Sequence, residues 1–136
     1  MRILPADAPP NARAPHGGMF LYLLVDPRAS HYGEVRWVGV ATFPALRLRR
    51  HSNPEARDWR LYPEKSAWVE ALCAEGYYPV MLLLAVASKE YVLTLEDALI
   101  DLLRAQGANL FNRTRRPKPP VVVAAAPGDT LPEAGA

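Results

Sequence analysis

The run "MFLYLLV", Met19 to Val25, constrains the fold more than any other stretch. It is continuously apolar or aromatic, has no polar side, and is closed by Asp26 and Pro27, which together describe a largely buried strand. Two further runs also read as strands. "EVRWVGV" follows after a short polar loop, so an antiparallel pairing with the first run is the economical arrangement. "YPVMLLLAVA" is too short and too rich in strand-forming residues for a separate helix, and reads as a third strand.

Helical signals fill the spaces between these strands. Pro44 suits the first turn of a short helix through Arg50, because its fixed φ is helical and its missing N–H is not needed there. "PEKSAWVEALCAEG" reads as a second helix, with Pro63 near its start, Gly76 as its stop, and Trp68, Ala71 and Leu72 on a common face. "TLEDALIDLLRAQG" is amphipathic, with Thr94 as N-cap, acids in the first turn and Gly107 at its end. The predicted order is β-β-α-α-β-α, an α+β fold with a small three-stranded antiparallel sheet flanked by helices.

Half of the 136 residues are apolar, enough for one compact domain but not for two. Residues 1–17 and 115–136 are rich in Pro and Ala and read as an N-terminal arm and a C-terminal tail around a domain spanning 18–114. No stretch is long and apolar enough to span a membrane, and prolines interrupt the start where a signal peptide would be apolar, so a soluble cytoplasmic protein is expected. The single cysteine, Cys73, excludes an intrachain disulfide and reads as a small helix residue. The net charge of +2 says little, but its distribution says more. Arg36 to Arg60 contains six arginines against Glu55 and Asp58, and Arg113, Arg115, Arg116 and Lys118 cluster without an acid. Such patches suit a phosphate backbone, and equally the solvated surface of an arginine-rich protein.

Several polar residues do not behave like surface. Glu96 precedes Leu99, Ile100 and Leu103 by three, four and seven residues, so its carboxylate lies on the apolar stripe of the last helix. A carboxylate there needs a partner or a metal ion, although a first-turn acid is also favoured by the helix dipole. Arg47 and His51 stand one turn apart on one face of the short helix, where they could hold a phosphate or relay a proton. Arg49 and Arg50 point elsewhere. Tyr22 sits among purely apolar neighbours, so its role depends on what lies opposite, which in a paired sheet is the strand carrying Trp37.

In order and spacing these elements resemble the GIY-YIG nuclease domain. "FLY" (Phe20 to Tyr22) matches its first motif without the glycine, and "WVG" (Trp37 to Gly39) its second with tryptophan in place of tyrosine. "RLRRH" supplies Arg47 and His51, "LEDALI" supplies Glu96, and "NLFN" supplies Asn112. The resemblance covers residues 19–114 and implies a metal-dependent DNA endonuclease or nickase. In that reading one Mg²⁺ or Mn²⁺ sits on Glu96, Arg47 faces the phosphoryl oxygens, and Tyr22 with His51 activates water. Trp37, Gly39, Arg49, Arg50 and Asn112 are motif or nucleic-acid-binding positions, and the partner is DNA, either branched or structured DNA bound for its shape or DNA reached through a protein partner that supplies targeting. Indole cannot accept a proton, so Trp37 does not replace a phenolic base, and Tyr32 is the nearest substitute hydroxyl in sequence. The alternatives are a catalytically inactive nucleic-acid-binding module on the same fold, with Trp37 stacking on a base, and a protein-interaction regulator.

Overall fold

The computed structural model describes residues 1–5, 7–53 and 58–112. The elements are β1 (Arg2–Ile3), β2 (Gly18–Val25), a 3-10 turn (Ala29–His31), β3 (Val35–Ala41), α1 (Pro44–His51), α2 (Asp58–Leu61), α3 (Pro63–Ala74), β4 (Val80–Ser88) and α4 (Lys89–Ala105). The fold is α+β, built on one antiparallel sheet of order β1-β4-β2-β3. No helix among the described residues is long and apolar enough to cross a membrane.

As the apolar run predicts, β2 is an interior strand, paired on one side to β3 and on the other to β4. Strand alternation then divides its side chains between two cores. Phe20, Tyr22 and Leu24 pack with Trp68, Val69 and Leu72 of α3. Met19, Leu21 and Leu23 belong instead with Val92, Leu95, Leu99, Ile100 and Leu103 of α4. A sheet covered on both faces explains why β2 carries no polar face at all.

The sheet has four strands, not the expected three. Arg2 pairs with Val86 and Ile3 with Ala85, the Leu4 N–H donates to the Leu84 carbonyl at 2.9 Å, and Leu4, Ala8, Ala12 and Ala14 pack against the α3-side core. The N-terminal stretch read as an outlying arm therefore covers the free edge of β4. Composition hid this because two residues of ladder pairing need only backbone groups, which carry no hydrophobic pattern. The tail read over 115–136, and the basic cluster Arg113, Arg115, Arg116 and Lys118, lie outside the described residues.

The helix boundaries follow local chemistry in α3 and depart from it in α4. In α3, Pro63 stands in the first turn, and Gly76, at φ +83°, closes the helix while the Tyr77 N–H returns to the Leu72 carbonyl at 2.8 Å. Its buried stripe is Lys65, Trp68, Val69 and Leu72, and Ala71, expected on that face, is exposed. The last helix begins at Lys89, directly after β4, rather than at Thr94. Thr94 is inside it and its hydroxyl donates to the Glu90 carbonyl at 3.1 Å. Burial of Val92 against Leu21 and Val38 overrides the weak propensity of the Val-Leu-Thr segment.

Asp26, at the end of β2, is fully buried and ties this sheet to α3. Its carboxylate accepts from the Trp68 indole at 2.7 Å and from the Arg28 backbone N–H, Nε and Nη2 at 2.9, 3.1 and 2.8 Å, while Arg28 Nη1 reaches Glu75 at 2.8 Å. Burial alone would raise the carboxyl's pKa, but the hydrogen bonds from Arg28 and Trp68 outweigh it and hold the group at about 2, below its ordinary 3.8. The sign follows. A depressed carboxyl stabilises the fold by about 2 kcal/mol above its unfolded value, and that contribution is lost as the pH falls through the folded one. Asp26→Asn should cost about 3 kcal/mol at neutral pH, read as a lowered urea midpoint, because it leaves Arg28 without its buried partner. The gap between variant and parent should close as the pH falls from 3.8 toward 2.

Candidate functional site

The site is built around one rung of the sheet, Tyr22 opposite Gly39. The Tyr22 ring lies across the β3 backbone so closely that a Cβ on Gly39 would stand 2.3 Å from both its Cζ and its hydroxyl oxygen. Only glycine fits beneath it. The phenol therefore passes over β3 and meets His51, with Oη and Nε2 2.6 Å apart. α1 reaches one residue beyond the predicted end, which makes His51 its last residue. Pro44 and His51 are its buried residues, so this side of the short helix faces the sheet.

Trp37 lies two residues before Gly39 on the same face of β3 and forms the outer wall of this pair. Its ring meets His51 edge-on at 5.7 Å between centroids and Tyr62 at 4.8 Å. The ammonium of Lys65 sits 4.6 Å from the Trp37 ring centre and 5.8 Å from that of Tyr62. Trp37 is half-buried, yet its Nε1 is enclosed and makes no hydrogen bond to a described residue. Such an unmet donor costs about 1–3 kcal/mol, so the position is held by packing rather than by indole polarity. Lys65, 2% exposed, was missed by sequence reasoning. The signal was present, because it precedes Trp68, Val69 and Leu72 by three, four and seven residues, the same argument that singled out Glu96.

Asn112 acts on the same segment from outside. Its amide brackets Val38, accepting from the Val38 N–H at 3.0 Å and donating to the Val38 carbonyl at 2.8 Å, while the Phe111 N–H donates to the Arg36 carbonyl at 2.8 Å. Residues 111 and 112 thereby occupy the otherwise open edge of β3 and set the strand that carries Trp37 and Gly39. Arg104 holds this turn by donating to the Asn112 carbonyl, and Arg36 stacks over Phe111 at 4.2 Å. A cavity of about 510 Å³ opens beside it, lined by Tyr62, Lys65, Arg104 and Phe111 among others.

The remaining expected residues are distributed differently. Arg47 stands one turn before His51, but His51 is buried at 4% exposure while Arg47 is exposed at the rim. It lines a cavity of about 430 Å³ with Met19, Ala41, Thr42, Phe43, Leu46 and Arg50. Arg50, expected to point elsewhere, thus shares this opening, and Arg49 is exposed. None of these three arginines forms an ion pair with a described residue. Glu96 is half-buried on α4 between Val92 and Ile100, on the stripe its spacing predicts. That stripe packs on the Leu21 and Val38 face, whereas Tyr22 belongs to the α3 face. Tyr32 is 82% exposed in the β2–β3 loop, several residues along the strands from the Tyr22 rung, and supplies no hydroxyl there.

No group of three or more His, Cys, Asp or Glu side chains that could hold a metal ion occurs among the described residues. A single carboxylate such as Glu96 could anchor an ion held otherwise by water, as Mg²⁺ is often held. Comparison with known protein families, curated proteins and solved structures gave no match.

The Tyr22–Gly39 rung makes a specific demand. Gly39→Ala should destabilise the fold by about 3 kcal/mol, since the ring above it is buried and bonded to His51 and has nowhere to move. Adding Tyr22→Ala should recover part of that loss in a double-mutant cycle of thermal midpoints. Simple additivity would reject the steric explanation.

Proposed function

We propose that this chain is a GIY-YIG-type protein acting on nucleic acid, a divalent-metal-dependent DNA endonuclease or nickase that hydrolyses phosphodiester bonds. The observation that carries the reading is the 2.6 Å hydrogen bond between Tyr22 and His51, with Gly39 kept bare beneath the phenol. With Nε2 unprotonated, His51 accepts from the phenol and can draw its proton, which leaves the oxygen able to orient or deprotonate an attacking water. Arg47 is accessible to phosphate and would offset charge building on the phosphoryl oxygens. Glu96 is the residue to which the resemblance would give the hydrated Mg²⁺ or Mn²⁺, whose chemistry is to stabilise the leaving oxygen, but it lies on the α4 face of the sheet, opposite the Tyr22–His51 pair.

One observation favours a second reading. Tyr22 and His51 are 1% and 4% exposed, and the Trp37 and Tyr62 rings stack outward from His51, so the pair is closed to bulk water in this arrangement. A protein that never opens this wall is a binding module, with the accessible arginines on phosphate and no hydrolysis.

Supercoiled plasmid and branched DNA, incubated with Mg²⁺ or Mn²⁺, separate the two. Nicking by the parent should fall at least a hundredfold in Glu96→Ala and in His51→Ala. Equal traces in parent and variants, or none in any, would sink the nuclease reading. Salt-sensitive binding in that second case identifies the binding module. Trp37→Tyr, which restores a hydroxyl to the second motif, should raise the nicking rate if the wall limits catalysis.

A further inference from the structure

We infer that the segment preceding β2 and the outer face of α1 together form a surface for single-stranded nucleic acid, with Arg13, Arg47 and Arg50 on phosphates and Phe43 as a stacking platform for an unpaired base. This rests on the reading of the chain as one that acts on nucleic acid, and assigns part of its contact surface.

The segment is fixed against the domain. Ala12 and Ala14 pack on the α3-side core, the Gly18 N–H donates to the Pro15 carbonyl at 2.8 Å, and the Lys89 N–H donates to the Gly17 carbonyl at 3.2 Å. Arg13, between the two anchored alanines, is exposed, and its guanidinium carbon stands 5.5 Å from the centre of the Phe43 ring. An arginine held over an aromatic face leaves its charge accessible and keeps the ring flat against a cation, the arrangement that accepts a base by stacking.

The α1 side is periodic. Phe43, Leu46, Arg47 and Arg50 follow at the spacing of one helix face, and all four are exposed, Phe43 to 47% and Leu46 to 57%. Exposed apolar side chains at a helix start are costly to leave in water, and here Phe43 and Leu46 stand beside cations rather than mixed charges. α1 contains no acidic residue, and neither Arg13, Arg47 nor Arg50 is ion-paired with a described residue. The cavity of about 430 Å³ between this face, Met19 and Ala41 is of the size that small ligands and bases enter. Positive charge selects a polyanion, and an exposed ring beside a cavity selects one whose bases are unstacked, because duplex bases offer no free face.

Fluorescence anisotropy of the full chain with a labelled oligothymidine, and with a hairpin duplex of equal length, tests this. The parent should bind the single strand more tightly, with an affinity that falls as salt rises. Arg13→Ala should lower the slope of log K against log salt by about 0.7. Phe43→Ala should weaken single-strand binding about tenfold with the slope and the hairpin affinity unchanged. Both positions are exposed, and unchanged circular dichroism verifies that the variants fold. If both variants bind like the parent while Arg47→Ala loses affinity, this inference fails and the nucleic-acid reading stands. If the parent binds neither oligonucleotide, both fail.

Discussion

A tyrosine ring laid across a strand backbone is the contact on which the rest of the site depends. Tyr22 reaches His51 because Gly39 has no side chain to block it, and His51 faces the sheet because α1 turns His51 and Pro44 inward, with Leu48 packed on the same core. Trp37 then closes over the histidine, and Tyr62 with Lys65 closes over Trp37. Each layer is positioned by the one beneath it, so a methyl group at Gly39 would propagate outward through α1 and α3.

The interior of this small domain is unusually polar for its size. Asp26, His51 and Lys65 are all buried, and each lies on the α3 side of the sheet. Asp26 is compensated by four hydrogen bonds from Trp68 and Arg28, a structural use of charge that fixes one end of β2 against α3. Lys65 is held against two aromatic faces, which stabilises an ammonium by ring electrostatics while excluding water. The α4 side, by contrast, is a mostly apolar layer, with Glu96 half-buried on its stripe.

Much of this architecture was legible in the chain. The unbroken apolar run of β2, the Pro and Gly limits of α3, and the start of α1 at Pro44 all rest on local rules of period and capping. The failures share a cause. The pairing of Arg2 and Ile3 with β4, the start of α4 at Lys89 and the burial of Lys65 are decided by distant neighbours, and local preference there is weak or opposed. Asn112 illustrates the same limit, since nothing in "NLFN" shows that its amide would be spent bracketing the backbone of Val38.

The tryptophan of "VRWVGVA" marks the boundary between the two kinds of knowledge. Sequence alone determined that Trp37 shares a strand with Gly39, that it cannot accept a proton, and that β2 beside it must be buried, because these follow from covalent chemistry and strand alternation. Only the tertiary structure decided that Trp37 walls off the Tyr22–His51 pair, with its own N–H unmet and Lys65 at its face. That outcome depends on how α1 and α3 pack across the sheet, and packing is a property of surfaces brought together from distant parts of the chain, which no local pattern encodes.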